Sequence, residues 1–333
     1  MSEPARYRLV LFVLVVLTAA LFLASLAIGP MATGLVESLR ALFSEKGGAI
    51  VLIMQEIRLP RAILGLMIGA TLGLSGAVLQ GYLRNPLAEP GLLGISASAS
   101  LGAVIALYSG LAAVAPLTLP AFALGASFVA VLLVRAMAGS AVGTLAIVLG
   151  GVALTSFAGA MTSLALNLSP NPFAALEILF WMLGSLSDRS MSDVWTAAPF
   201  MLAGWAMLAG LGRPLDALTL GPDAARSLGV DMRRLQFLAI FGTAASVGAA
   251  TAVAGAIGFV GLVVPHLMRP LVGALPSRLM PVSALGGACL LLTADIATRL
   301  VAPGRDLKLG VLTALVGAPF FLWLVWRTRR EAT

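Results

Sequence analysis

The stretch Arg58-Leu-Pro-Arg61-Ala-Ile-Leu-Gly-Leu-Met-Ile-Gly69-Ala-Thr-Leu-Gly73-Leu-Ser-Gly76-Ala-Val-Leu-Gln80-Gly-Tyr-Leu-Arg84-Asn-Pro86 carries charge at both ends and none between them. Arg61 and Arg84 bracket 22 uncharged residues. At a rise of about 1.5 Å per residue, a helix of that length matches the roughly 30 Å hydrocarbon core of a bilayer. Gly69, Gly73 and Gly76 recur at i, i+4 and i+7 on one helical face. In lipid, helices associate by packing, so a face of small residues marks close helix–helix contact. Pro86 cannot extend a hydrogen-bonded helix, so the chain turns after Arg84.

Apolar runs of this kind repeat outward along the whole chain. The 333 residues are 60% hydrophobic and 11% charged, whereas soluble domains are near half apolar and a quarter charged. The reading is one all-α polytopic membrane domain over 1–333. About ten transmembrane helices are expected, near 9–29, 62–82, 92–109, 117–137, 144–167, 194–211, 235–253, 255–268, 279–298 and 310–326. The run Leu9–Ile28 is long enough to span and lacks a convincing cleavage pattern, so it reads as a span. Residues 30–57 are expected as an outer loop with a short polar helix. Residues 170–186 are expected as an amphipathic segment near the outer surface.

Basic residues set the orientation. With the N-terminus inside, thirteen of the 21 Lys and Arg fall inside and eight outside, while the 14 acidic residues divide six and eight. Both basic termini fall inside, which requires an even number of spans. A bacterial inner membrane with both termini cytoplasmic follows. The net charge of +7 is explained by topology and anionic lipid, so nucleic acid is not an expected partner. One cysteine, Cys289, and one histidine, His266, exclude an internal disulfide, a thiolate cluster and a multi-histidine metal site. The sequence has no Walker loop. Energy from ATP would come from another chain, and no cofactor is expected here.

Four stretches depart from generic membrane sequence. The first is the opening segment with its continuation Arg84-Asn-Pro-Leu-Ala-Glu-Pro-Gly-Leu-Leu-Gly94. The second is Leu220-Gly-Pro-Asp-Ala-Ala-Arg-Ser-Leu-Gly229. The third is Gly255-Ala-Ile-Gly-Phe-Val-Gly-Leu-Val-Val-Pro-His-Leu-Met-Arg269. The fourth joins Ala294-Asp295 and Arg299 to Leu309-Gly-Val-Leu-Thr-Ala-Leu-Val-Gly-Ala-Pro-Phe-Phe321. In this order they resemble the permease family that imports ferric siderophores, haem and cobalamin, the type II ABC importers. The resemblance covers nearly everything after residue 50. It implies a homodimer of ten-helix subunits, two ATPase subunits holding ATP and Mg on the cytoplasmic side, and a periplasmic substrate-binding protein. The cargo would be a bulky metal chelate, ferric siderophore or haem ahead of cobalamin. The chain departs from the family pattern at Ala97-Ser98-Ala99 and at Asp306-Leu307-Lys308-Leu309, and the second change touches an outer loop.

Residue roles follow partly from physics and partly from the resemblance. Leu220, Gly221, Pro222, Asp223, Ala224, Ala225, Arg226, Leu228 and Gly229 lie in the longest inner loop, about 212–234. Pro222 near a helix start and Gly229 past its end obey capping rules. The resemblance makes this the ATPase-coupling helix, with Ala224, Ala225 and Leu228 as its apolar face. Arg58, Arg61 and Arg299 sit at outer helix ends against the positive-inside trend. The resemblance implies that they dock acidic residues of the binding protein; the plain alternative is snorkelling, with Asp295 pairing Arg299 at i, i+4. Asn85 matches a cytoplasmic gate position in the resembled cobalamin permease, and a helix cap needs the same residue type. Thr144 matches another gate position. Thr155, Gly159, Thr162, Ser163 and Asn167 recur at helical spacing and form a candidate pore lining, although each hydroxyl is able to bond back to its own helix. Gly255, Gly258 and Gly261 suggest a second close helix contact. His266 is expected to cap or bridge near the ATPase contact.

No nucleophile–base pair or carboxylate dyad is visible, so no enzymatic chemistry is expected. An ion-coupled secondary transporter is the alternative. Such proteins keep ionisable groups at mid-membrane, whereas charge here clusters at span ends.

Overall fold

The structure, a computed structural model, describes residues 3–29, 34–44, 48–115, 117–138, 144–169, 172–301 and 307–331. The described residues form helices and connecting turns. In chain order these are α1 (Glu3–Ala27), α2 (Leu35–Leu42), α3 (Ala49–Leu52), α4 (Leu59–Leu83), α5 (Ile95–Tyr108), α6 (Leu111–Val114), α7 (Thr118–Ala138) and α8 (Thr144–Asn167). They continue as α9 (Pro172–Met182), α10 (Met191–Ala209), α11 (Gly212–Leu218), α12 (Pro222–Ser227), α13 (Met232–Ala254), α14 (Val260–Val272), α15 (Pro276–Val301) and α16 (Leu309–Glu331).

Each of the ten expected spans overlaps a helix. Among the described residues, six helical units are long and apolar enough to cross a bilayer alone, and α10 with α11, bent by 48°, makes up to seven. The expected spans on α5, α14 and α16 fall on shorter apolar helical stretches of 10–17 residues.

The helix α4 is the centre of the molecule. It packs against α15, α14, α10 and α13, and nearly all of its residues are buried. Its glycines explain how. A Cβ on Gly69 would strike the Gly287 carbonyl of α15, one on Gly73 the Ser283 carbonyl, and one on Gly76 the Gly261 carbonyl of α14. Backbone lies on backbone along this seam, as the i, i+4, i+7 spacing predicts. Hydroxyls fasten the same core: the Trp205 indole donates to Thr71 Oγ1 at 2.9 Å, and Ser75 meets Ser246 at 3.4 Å.

Three expectations change. The second span begins earlier than residue 62, because Ala49–Leu83 is one continuous helical unit. Residues Ile53–Arg58 take a π-helical turn just before Pro60. Proline lacks an N–H and crowds the carbonyl four residues back, and a π-turn accommodates both defects. The outer loop therefore shrinks to the stretch around α2. Second, residues 255–259 are not helical. Gly255 takes φ 72°, the chain runs on without helix, and Phe259, in the left-handed region at φ 67°, starts α14. Of the three glycines read as a helix contact, Gly255 lies against the Trp181 carbonyl of α9 and Gly261 against α4, while Gly258 faces open space. Third, α9 is apolar nearly all round: Phe173, Leu176, Leu179 and Phe180 are all exposed, and Glu177 is its one charged residue. It is a lipid- or partner-facing helix and not an amphipathic one.

Candidate functional site

The end of α1 leaves its last carbonyls without helical partners, as every helix does. Two arginines satisfy them. Arg58 Nη1 donates to the carbonyls of Leu26 at 2.9 Å and Ala27 at 3.1 Å. Arg299 Nη1 donates to Ser25 O at 2.9 Å and Ile28 O at 2.6 Å, and its Nη2 to Ser25 Oγ at 2.6 Å. Positive charge at a helix C-terminus is also favoured by the helix dipole. Asp295, 1% exposed, joins the group. Its Oδ2 accepts from Arg299 at 2.7 Å and its Oδ1 from Arg61 Nε and Nη2, both at 2.8 Å. The three arginines expected to dock a partner are thus brought together. Arg58 is 3% exposed, while the side chains of Arg299 and Arg61 are 9% and 16% exposed. Arg61 keeps the largest free edge.

At the opposite end of the bundle, α4 ends on Arg84 in the left-handed conformation, φ 50°. Asn85 N donates to Gln80 O, and Asn85 Oδ1 accepts from Leu87 N at 2.9 Å. That is an Asx turn, the capping use of this residue type. The loop then climbs back toward the core. The Glu89 side chain lies near the backbone N–H of Phe259 at the start of α14. Gln80 and Arg269 tie α4 to α14, with Arg269 Nη2 donating to Gln80 Oε1 at 2.8 Å.

The helix α8 packs on one side against α5 and α7. Thr155, Ser163 and Asn167 lie on its exposed side, and a Cβ on Gly159 would meet nothing. Thr155 Oγ1 donates to Gly151 O at 2.9 Å, back to its own helix. Thr162 departs from this stripe: it is 4% exposed, one helical turn after buried Ala158 and packed with it. Thr144 begins α8, and its side chain lies outside the described residues. Asp306 is likewise outside them.

Between α11 and α13, Gly221 at φ 109° and Gly229 at φ 85° bracket α12, so both ends use conformations that favour glycine. Asp223 and Arg226 pair at 2.6 Å on the solvent side. Leu220 is 70% exposed and Leu228 64%. Ala225, expected on the contact face, is fully buried instead; it fixes α12 against the body. Asp231 then caps α13, accepting from Arg233 N and Arg234 N at 2.9 and 3.1 Å. His266, on α14, sits edge-on to Phe320 of α16, ring centroids 5.6 Å apart.

A largely apolar cavity of about 610 Å³ opens between the end of α9, residues 256–259 and α16, with Met182, Phe259, Gly310 and Leu315 in its walls. Phe259 also borders a second apolar cavity of about 220 Å³ against α15. The bulky Phe259 at positive φ, the Glu89 side chain near it and these cavities were not foreseen from sequence. The signal was the glycine pair around it, which reads equally well as helix packing.

The model of the FecCD transport family matches residues 16–327. The chain belongs to the FecCD transport family. Within it, the hemin transport system permease protein HmuU of Yersinia pestis is 38% identical over 99% of both chains. The cobalamin import system permease protein BtuC of Halobacterium salinarum is 39% identical, covering 82% of this chain and 73% of its own. A solved structure described as an inward-facing metal-chelate type ABC transporter superposes with a TM-score of 0.84. It is 31% identical and covers 96% of this FecCD-family chain and 99% of its own.

Proposed function

We propose that this FecCD-family permease works as a homodimer that moves a bulky metal chelate inward across a bacterial inner membrane. Two separate ATPase subunits drive it from the cytoplasm, and a periplasmic binding protein delivers the cargo. The observation that carries the reading is α12. It is a short, glycine-bracketed helix outside every span, with Leu220 and Leu228 turned out to solvent. Exposed leucines on a positioned element mark a protein contact, and the relatives named above are permeases of hemin and cobalamin import.

In this reading Leu220 and Leu228 meet the ATPase, Ala225 holds α12 in register, and the Asp223–Arg226 pair lies at the rim. Arg61 offers its free edge to the binding protein, while Arg58, Arg299 and Asp295 keep it in place. Asn85 and Glu89 anchor the inner loop as a gate. The exposed face of α8, with Thr155, Ser163 and Asn167, lines the path together with Thr144. The apolar cavity around Phe259 suits a chelate whose metal charge is already neutralised by its own ligands. Identity of 38% to a hemin permease and 39% to a cobalamin permease does not choose the cargo, and iron chelates remain the reading.

Proteoliposomes holding the permease, its ATPase and its binding protein test this directly. One of labelled hemin, a ferric siderophore or cobalamin should accumulate only with ATP on the ATPase side, and vanadate should stop it. Uptake driven by a proton gradient without ATP would instead make the protein a secondary transporter.

A further inference from the structure

Where α10 gives way to α11, the chain leaves a pocket of about 550 Å³ beside the start of α13. Two arginines line it, Arg213 near the start of α11 and Arg234 in the first turn of α13. Both are exposed, and no hydrogen bond or ion pair among the described residues holds either guanidinium. The acid in the wall, Asp231, spends its Oδ1 on the start of α13, accepting from Arg233 N and Arg234 N. The nearby Asp216 is committed to α15, where its Oδ1 accepts from Ser277 N at 2.9 Å.

The floor of the pocket is apolar. Leu211 and Leu235 in it are both buried, and Leu238 extends it along α13. Arg234, Phe237, Leu238 and Phe241 recur at i, i+3, i+4 and i+7, so they share one face of that helix. Phe237 is exposed, and its ring stacks on Phe241 with centroids 4.5 Å apart. Because α13 is long and apolar enough to cross a bilayer, this aromatic strip leads from the two cations into hydrocarbon. A single arginine at a span end snorkels to the headgroups and needs no site. Two guanidiniums opening into one walled pocket over an apolar floor are a different arrangement. Each presents a planar fork of N–H donors that matches phosphate, and basic pockets between membrane helices suit anionic headgroups.

We propose that this pocket holds an anionic phospholipid, with Arg213 and Arg234 on its phosphate and an acyl chain along Phe237 and Phe241. A free phosphate would leave the apolar floor and the aromatic strip unused. The ATPase contact assigned to α12 uses Leu220 and Leu228 and needs neither arginine. A lipid seated here braces the loop that carries α12 against α10 and α13. The inference goes beyond the importer reading, since it requires only that α10 and α13 lie in a bilayer.

The test titrates the purified full-length chain, stripped of lipid in detergent, with phosphatidylglycerol or phosphatidylcholine and counts bound lipid by native mass spectrometry. Wild type should bind one phosphatidylglycerol per chain at least tenfold more tightly than phosphatidylcholine. Arg213→Gln combined with Arg234→Gln should bring the two lipids within twofold of each other. Arg8→Gln combined with Arg135→Gln removes the same charge at other helix ends and should keep the preference. If the first pair does not elute as folded protein, each single substitution replaces it and should cut the preference at least threefold. An unchanged preference in the first pair overturns the proposal, and so does an equal loss in both pairs, which would mean diffuse charge and no site. Displacement of the lipid by millimolar inorganic phosphate overturns it in favour of a small-anion site. Loss of ATPase co-purification with the lipid preference intact would give the surface to the ATPase and also overturn it. Lipid is counted without transport, so a complex that moves no chelate with ATP refutes the importer reading and leaves this result to stand or fall by itself.

Discussion

At Asp295 one carboxylate holds two guanidiniums while a third, that of Arg58, lies close by on the neighbouring Leu26 and Ala27 carbonyls of α1. Asp295→Asn keeps the shape and removes the charge, leaving Arg61 and Arg299 to repel each other. Breaking a buried pair from one side costs about 3–5 kcal/mol, so the variant should unfold at clearly lower temperature in detergent, read by a thermal-shift assay. Arg58→Ala should leave the Leu26 and Ala27 carbonyls without donors, at about 1–3 kcal/mol in the same assay. Part of this cluster is legible in sequence. Arg58, Arg61 and Arg299 stand out because they break the positive-inside trend, and Asp295 with Arg299 is an i, i+4 pair. The bond from Arg61 to Asp295 spans 234 positions, and no local spacing announces it. Nor does sequence show that Arg58 and Arg299 are consumed by α1.

Among the elements, the α4–α15 seam is the most legible. A glycine spacing read from sequence became backbone contact, because in lipid nothing but packing draws helices together. Gly73→Leu should drive a side chain into the Ser283 carbonyl and cost about 3 kcal/mol or more, seen as loss of monodisperse protein on size exclusion. Gly258→Ala faces open space and should change stability by less than about 1 kcal/mol. Equal damage from the two would refute the seam. The stretch 255–259 was misread as helix because glycine at intervals of three fits helix packing and an irregular turn alike. Only the positive φ of Gly255 and Phe259 decides for the turn. At α12 the caps were legible, but which of Ala225 and Leu228 faces outward depends on what α12 packs against. Leu228→Asp should abolish co-purification of the ATPase while the permease still elutes as folded protein, whereas Leu228→Met should retain it.

For the molecule as a whole, orientation is the property that charge counting assigns and that labelling checks. Cys289, the one cysteine of the chain, is buried, so new cysteines can be read against a low background. A membrane-impermeant thiol reagent should label Glu3→Cys only from the cytoplasmic side and Asp188→Cys only from the periplasmic side; the reverse pattern would invert the topology and put α12 away from any cytoplasmic ATPase. By itself the sequence determined the medium, the all-helical class and the family. These depend on quantities that are local or summed along the chain: apolar run length, charge at span ends, motif order. The tertiary structure alone decided that α4 lies at the centre, that the helix before α14 is broken, and that Thr162 is packed while Thr155 is open. It also decided which outer arginines are already satisfied. Each of these depends on which distant backbone lies opposite a residue, and a carbonyl of α1 or α15 leaves no mark in the sequence near the side chain that meets it.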